Sequence, residues 1–170
     1  MNKKLAFERP RDEAQVKRLL AACELPYEDI TPSHLQHFLT LRDGTRLAGV
    51  IGLELLGNSA LLRSLAVPTQ YRGRGIGSQL TRKAEEYGRS RGVEALYLLT
   101  TTAEGFFAKQ GYGRIDRSTV PAAVQETAEF RSLCPATAVC MVKHLMENYC
   151  VSSVLVATQK PMLSRKSPRR

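Results

Sequence analysis

The pattern of apolar and polar residues predicts that the first half of the chain consists mainly of antiparallel strands. A short strand is expected at residues 4–9, helices at residues 12–23 and 32–38, and strands at residues 38–42, 47–56 and 61–67. Asp43-Gly44 and Gly57-Asn58 lie between the last three strands and are typical of hairpin turns. The two longest strands are apolar at odd and even positions alike, so both faces of the sheet should be covered.

Beyond Pro68 the pattern changes to helices that alternate with strands. Ile76, Leu80 and Ala84 recur at four-residue spacing within residues 75–91, which predicts an amphipathic helix. The elements expected after it are a strand at residues 95–99, a helix at 102–110, a strand at 112–115, a helix at 121–130 and a strand at 137–145. This order predicts an α+β fold in a single domain, with a central mixed, mostly antiparallel sheet flanked by helices.

Composition and charge limit the classes of partner. The 170 residues are 43% hydrophobic and 24% charged, which fits one ordinary globular domain. No apolar stretch approaches the ~18 residues of a membrane helix, and no secretory signal follows the basic N-terminus, so we expect a cytoplasmic protein without a membrane partner. Five basic residues and no acidic residue lie in the last twenty positions, which leaves +4 of the net charge of +9 on the first 150. We therefore expect a domain at residues 1–146, a basic, disordered tail at residues 147–170 and no nucleic-acid partner.

The most informative segment is V-P-T-Q-Y-R-G-R-G-I-G-S-Q-L at residues 67–80, between a buried strand and the amphipathic helix. Gly73, Gly75 and Gly77 allow close approach of a ligand to the main chain. The free N–H groups at the start of a helix favour an anion, and Arg72 and Arg74 add positive charge. The P-loop and dinucleotide-binding patterns are both absent. The segment therefore predicts a phosphate site of another kind.

The R-G-R-G-I-G motif at residues 72–77 matches [QR]-x-x-G-x-[GA] and resembles the pyrophosphate loop of the GNAT superfamily of N-acetyltransferases. The resemblance extends over residues 4–145 and includes L-A-V-P at residues 65–68 and F-F-A-K-Q-G-Y at residues 106–112. It implies acetyl-CoA as cofactor and, because members are often dimers, a homodimer as one arrangement. The implied cofactor-binding residues are Leu65, Ala66 and Val67, which would pair with the pantetheine arm, and Arg72, Gly73, Arg74, Gly75, Ile76, Gly77 and Ser78, which would hold the pyrophosphate.

Two positions depart from the superfamily pattern. Many members have a tyrosine that protonates the leaving thiolate where this chain has Phe107, which the resemblance still places beside the cofactor. Thr100 also replaces a common asparagine. Either another group is the acid, with Tyr97 and Tyr112 as weak substitutes, or the thiolate leaves unassisted.

Two charges interrupt the apolar hairpin, Glu54 in one strand and Arg63 in the next. A two-residue turn at Gly57-Asn58 would place Glu54 opposite Leu61 and Arg63 diagonally on the same face. In the functional interpretation Glu54 is the catalytic base that draws the amine proton through water, while Arg63 binds an acidic group of the acceptor. The other interpretation is a structural ion pair.

A more specific resemblance concerns the acceptor. The segments at residues 61–67, 97–107 and 132–141 look like the arsenic-resistance N-acetyltransferases, relatives of the enzymes that acetylate phosphinothricin and arsinothricin. It implies a small amino-acid-like acceptor that carries acid groups, held by Arg63 and Ser64. An acetyltransferase for proteins or peptides and a non-catalytic acyl-CoA sensor remain alternatives. The cysteines match no zinc spacing, so no metal is expected, and Cys134 and Cys140 are interpreted as core residues although arsenic would favour thiolates.

Overall fold

Seven strands form one sheet within residues 5–146, the part of the chain that this computed structural model describes. The strands are β1 (Ala6–Glu8), β2 (Phe38–Asp43), β3 (Arg46–Leu56), β4 (Ser59–Ala66), β5 (Ala95–Thr100), β6 (Gly113–Arg114) and β7 (Val139–His144). Their order is β1-β2-β3-β4-β5-β7-β6, and each neighbouring pair is antiparallel except β4 with β5. The predicted α+β fold is confirmed, while the tail predicted at residues 147–170 lies outside the described residues.

Five α-helices connect these strands. They are α1 (Glu13–Ala22), α2 (Pro32–Leu35), α3 (Ile76–Ser90), α4 (Glu104–Lys109) and α5 (Ala122–Gln125). Asp12 caps α1 by accepting a hydrogen bond of 2.9 Å from the N–H of Ala14. The α3 helix buries Ile76, Leu80 and Ala84, the stripe that the four-residue spacing predicts. None of the helices in the described range is long and apolar enough to span a bilayer.

Two predicted helices differ from the structure. The second helix ends at Leu35 and not at Phe38, because the fully buried ring of Phe38 begins β2. The helix predicted at residues 121–130 is interrupted: α5 ends at Gln125, and the Thr127 hydroxyl donates to the Val124 carbonyl at 2.8 Å. A separate π-helical turn follows at Glu129–Leu133. This turn brings Glu129 to the functional site described below.

Both faces of the sheet are covered, as the apolar strands predict. On one face, Ile51, Leu96 and Met141 pack with the apolar side of α3. On the other face, α1 packs over one half of the sheet with Val16 and Leu20, and α5 covers the other half, where Val124, Leu61, Tyr97 and Cys140 form a separate cluster. Burial of whole aliphatic side chains on both sides stabilises the sheet by roughly 1.5–3 kcal/mol for each large side chain.

Candidate active site

The central cleft forms where β4 and β5 separate. These strands pair in parallel only between Ser59–Leu61 and Ala95–Tyr97. Beyond these pairs, residues 62–67 and 98–103 line a cleft of about 830 Å³. A β-bulge shifts the register of β3 against β4 next to this point, and Ser64 adopts a left-handed backbone with φ of 59°. The separation leaves part of the β4 edge free to pair with a bound chain.

The glycine-rich loop forms one end of the cleft. Within residues 5–146, the main-chain N–H groups of residues 73–78 have no hydrogen-bond acceptor. Gly75 is the N-cap of α3 with φ of +74°, and Gly73 has φ of +75°. A Cβ atom added to either glycine would meet no heavy atom within 4 Å, so the loop has open space on that side. Such a row of N–H groups at a helix N-terminus fits a pyrophosphate.

Arg72 takes a different part in the loop from the one predicted. Its N–H, expected to bind phosphate, donates to the Thr69 carbonyl at 3.3 Å, and its Nε donates to the Val67 carbonyl at 3.0 Å. The free N–H groups therefore begin at Gly73. The side chains of Arg72 and Arg74 are exposed on the loop, and the Arg74 guanidinium lies 5.5 Å from the centre of the Tyr71 ring. Both remain able to add positive charge beside a bound phosphate.

A cluster of charged side chains lies at the other end of the cleft, around Arg63. The guanidinium makes a bidentate pair with Asp29 at 2.6 and 2.8 Å. Its Nη1 also lies 3.4 Å from a Glu54 carboxylate oxygen, and its Nε lies 3.3 Å from Glu129. The Arg63 side chain is 0% exposed. The predicted meeting of Glu54 and Arg63 is confirmed, with Glu54 opposite Leu61 in the register.

The charged side chains of this cluster shift one another's pKa values. Burial alone would raise the pKa of Asp29, but the hydrogen bonds and charge of Arg63 outweigh it and lower the pKa below its usual value. Burial would lower the pKa of Arg63, but the surrounding carboxylates raise it, so the guanidinium stays charged. Burial raises the pKa of Glu129 to about 7, against the attraction of Arg63 and with help from Asp29 and Glu54. Glu129 therefore changes its protonation near neutral pH.

The sequence does not predict Glu129 or Asp29 as residues of the site. Among the three carboxylates around Arg63, Glu129 is the one that lines the cleft, whereas Glu54 and Asp29 contact Arg63 from outside the lining. Glu129 is an acidic residue in a predicted helix, and Asp29 lies in a loop, so neither has a distinctive spacing. The interrupted helix and the ion pairs that reveal both residues are features of the three-dimensional structure alone.

The comparison with known families identifies the family of this chain. The model of the acetyltransferase (GNAT) family matches residues 5–112, which include the glycine-rich loop and both strands of the cleft. The chain belongs to the GNAT acetyltransferase family. Members of this family transfer the acetyl group of acetyl-CoA. The free N–H groups of residues 73–78 fit its pyrophosphate, and the free β4 edge fits its pantetheine arm.

A curated relative and several solved structures are similar to this GNAT chain. An uncharacterized N-acetyltransferase of Chlorobaculum tepidum is 40% identical over 62 residues, which cover 36% of this chain and 39% of the relative. N-acetylglutamate synthase from Neisseria gonorrhoeae, solved with coenzyme A and N-acetylglutamate, has a TM-score of 0.74 at 17% identity, covering 86% of this chain and 36% of that one. Rv2747 from Mycobacterium tuberculosis, solved with coenzyme A, has a TM-score of 0.70 at 20% identity, covering 83% and 99%. The chain thus spans about a third of the synthase. Both solved structures share the fold of this chain.

Phe107 lines the cleft at the position where many GNAT members have a tyrosine. Its ring is buried and packs edge-on against Tyr112, with ring centres 5.5 Å apart. The Tyr112 hydroxyl donates to Glu85 at 3.2 Å, and burial beside that carboxylate strongly raises the pKa of Tyr112. Tyr97 packs on the opposite face of the sheet, where burial raises its pKa. Neither tyrosine lines the cleft, so neither hydroxyl is placed to protonate a thiolate there.

The two cysteines of the predicted core differ in position. Cys140 is buried in β7 beside Tyr97, as predicted. Cys134 is half-buried and lines the cleft next to Glu129, so it is not a core residue. Burial raises the pKa of both thiols to about 11, which keeps them protonated at neutral pH. Cys134 therefore contributes a neutral thiol to the wall of the cleft.

Proposed function

We propose that this protein transfers an acetyl group from acetyl-CoA to the α-amino group of a small amino-acid-like acceptor. The observation that carries the proposal is the cleft itself, with a loop of free N–H groups at one end and the Arg63 cluster at the other. The fold shared with the Neisseria synthase, solved with N-acetylglutamate, supports an amino-acid-like acceptor. We also propose a cytoplasmic setting, in which the Cys134 thiol stays reduced.

The free edge of the cleft would hold the co-substrate along its length. The N–H groups of residues 73–78 would bind the pyrophosphate, with Arg72 and Arg74 beside it. Leu65 and Ala66 would pair with the pantetheine arm, and the buried ring of Phe107 would give it an apolar contact. Bound in this way, acetyl-CoA supplies the thioester near Ser64, where the acceptor amine would meet it.

The contacts of Arg63 change its proposed role. A guanidinium held by Asp29, Glu54 and Glu129 has few donors left for an acid group of the acceptor. We therefore propose that Arg63 holds these carboxylates in place, while the positively charged amine of the acceptor approaches the cluster. Ser64, whose Oγ lies 3.4 Å from Nε of Arg63, remains the proposed contact for an acid group.

The acceptor that we favour is a glutamate analogue of the phosphinothricin or arsinothricin type, and the proposed role is in arsenic resistance. Two of the segments that resemble the arsenic-resistance enzymes, at residues 61–67 and 132–141, provide Ser64 and Cys134 to the wall of the cleft. A second candidate is a small amine without acid groups. It is favoured by the excess of three carboxylates over one guanidinium in the cluster.

The release of coenzyme A thiol with a panel of acceptors tests the proposal. We expect the highest kcat/KM with arsinothricin or phosphinothricin, lower values with glutamate and glutamine, and the lowest with a peptide. A preference for a polyamine would support the second candidate. The proposal is wrong if acetyl-CoA binds and no acceptor accelerates thiol release, which is the behaviour of a sensor, or if peptides are the preferred acceptors.

Cys134→Ser is expected to retain acetylation of both analogues, within about threefold of the wild-type kcat/KM. Acetyl transfer needs the amine beside the thioester, and a protonated thiol with a raised pKa binds arsenic weakly. Cys140→Ser is the matched control because Cys140 is buried in β7 and is not among the residues that line the cleft. A loss in Cys134→Ser that is confined to the arsenic analogue would show direct contact between sulfur and arsenic.

A further inference from the structure

We propose that Glu129 is the general base of the reaction, the group that takes a proton from the acceptor ammonium, in the place that the sequence assigns to Glu54. This inference rests on the proposed function, since it concerns the same cleft and the same amine. It assigns to a residue outside the strands, on the π-helical turn Glu129–Leu133, the proton transfer that precedes acetylation.

Glu129 differs from Glu54 and Asp29 in its position relative to the cleft. Glu129 lines the cleft together with Ser64 and Cys134, close to the point where β4 and β5 separate. Glu54 contacts Arg63 at 3.4 Å but is absent from the lining, and Asp29 is committed to Arg63 through both of its oxygens. A base must come within hydrogen-bond reach of the amine, directly or through one water. In the described part of the chain, Glu129 is the buried carboxylate with access to the cleft.

Hydrogen bonds from Cys134 and Arg117 fix the turn that carries Glu129. The N–H of Cys134 donates to the Glu129 carbonyl at 3.0 Å, which closes the wide turn. Arg117 holds the following segment, because its guanidinium donates to the carbonyls of Phe130 and Pro135 at 3.1 and 2.9 Å. The Glu129 side chain is 7% exposed and lies beside Nε of Arg63 at 3.3 Å. The carboxylate is therefore held at one place in the wall.

The surroundings allow Glu129 to gain and lose a proton near neutral pH. The charged groups that act on it are Arg63 from β4, Glu54 from β3 and Asp29 from the segment between α1 and α2. The thiol of Cys134 lies at the end of the same turn. Burial and the two carboxylates raise the pKa of Glu129, Arg63 lowers it, and the balance is about 7. A base with a pKa near the working pH is deprotonated often enough to act and basic enough to accept a proton. Asp29, whose pKa is lowered, is a weaker base.

Every proton and electron pair of the proposed acetyl transfer has a donor and an acceptor among Glu129, the amine and the thioester. One proton passes from the ammonium nitrogen to a carboxylate oxygen of Glu129, and the freed nitrogen lone pair forms the bond to the thioester carbonyl carbon. The carbon–sulfur bond breaks, and its electron pair leaves with sulfur. Sulfur takes up the second proton, which the nitrogen loses when it becomes an amide. Glu129 then returns its proton to water through the open cleft.

The test compares Glu129→Gln with Glu54→Gln. Both variants remove one carboxylate charge from Arg63 and keep the size of the side chain, but only the first changes the lining of the cleft. In the wild type, kcat should rise with pH through about 7 as Glu129 loses its proton. We expect Glu129→Gln to lower kcat by about 10²-fold or more and to abolish this rise. Glu54→Gln removes a charge that raises the pKa of Glu129, so we expect it to keep the rise and to move it to lower pH.

A second readout does not depend on turnover. The pKa of Glu129 is about 7 in the folded protein against an ordinary value of 4.5, so its contribution to the free energy of unfolding is present below pH 4.5 and is lost as pH rises through 7. We expect the unfolding midpoint of Glu129→Gln, relative to that of the wild type, to rise over this pH range. Urea unfolding at several pH values measures this difference and shows whether Glu129 titrates as proposed.

An error in the role of Glu129 and an error in the proposed function would give different experimental results. If the wild type acetylates small amino acids and Glu129→Gln keeps its rate, or loses rate with an unchanged pH profile, the assignment of Glu129 is wrong and the function stands. If Glu54→Gln shows the loss in its place, Glu54 is the base. If the wild type acetylates no small amine at any pH, the proposed function fails, whatever the unfolding experiment shows.

Discussion

Gly75→Glu is expected to abolish the binding of acetyl-CoA and to leave the protein folded. Gly75 lies at the N-cap of α3, among the free N–H groups of residues 73–78, with open space where a side chain would begin. A carboxylate there would occupy the anion site and repel the pyrophosphate, which costs several kcal/mol. We expect calorimetry to show a loss in affinity of at least about 10²-fold, and circular dichroism to show an unchanged fold.

Gly57→Glu is the matched control for backbone strain. Gly57 has φ of +71°, close to the +74° of Gly75, and a Cβ there also meets no heavy atom within 4 Å. It lies in the β3–β4 turn, outside the cleft lining. Both variants should lose about 1–2 kcal/mol of stability because a side chain disfavours this backbone conformation. If Gly75→Glu binds acetyl-CoA as tightly as Gly57→Glu does, the loop is not the pyrophosphate site.

Arg63→Ala is expected to destabilise the protein by about 3–5 kcal/mol, because it leaves Asp29, Glu54 and Glu129 without a counter-charge. Without Arg63, the carboxyl groups of Asp29 and Glu129 are harder to ionise, so the pKa of each should rise in the folded variant. The loss should therefore be small below about pH 4 and grow as pH rises toward 7. Urea unfolding of wild type and variant at both pH values measures the difference.

Arg114→Ala is the control for an arginine–carboxylate pair at the surface. Arg114 contacts both carboxylate oxygens of Glu104, but its side chain is 68% exposed. Its removal should change the free energy of unfolding very little, because water screens an exposed ion pair. If Arg63→Ala is as stable as Arg114→Ala and mainly raises the KM of the acceptor, Arg63 binds the acceptor directly, as the sequence alone predicts.

The sequence predicts the parts of the site that depend on local pattern. The glycine-rich loop is evident because Gly73, Gly75 and Gly77 follow a strand and begin a helix. The pairing of Glu54 with Leu61 follows from a two-residue turn, since each step along one strand fixes a step along the other. Such features involve residues that are close in sequence or joined by one hairpin.

The remaining parts depend on contacts between distant segments. Asp29 and Glu129 reach Arg63 across 34 and 66 positions of the chain, and only packing of α1 and α5 against the sheet brings them there. The prediction of one helix at residues 121–130 misses the π-helical turn that presents Glu129, because the predicted helix continues past Gln125, where α5 ends. The same packing occupies the donors of Arg63, which the functional interpretation of the sequence reserves for the acceptor.

The identity of the acetylated product tests the central claim most directly. The wild type is incubated with acetyl-CoA and phosphinothricin, and mass spectrometry and NMR of the product locate the acetyl group while coenzyme A thiol is counted. We predict one acetyl group on the α-amino nitrogen for each thiol released, and no product with Gly75→Glu. Thiol release without an acetylated amino acid, with any acceptor of the panel, would contradict the claim.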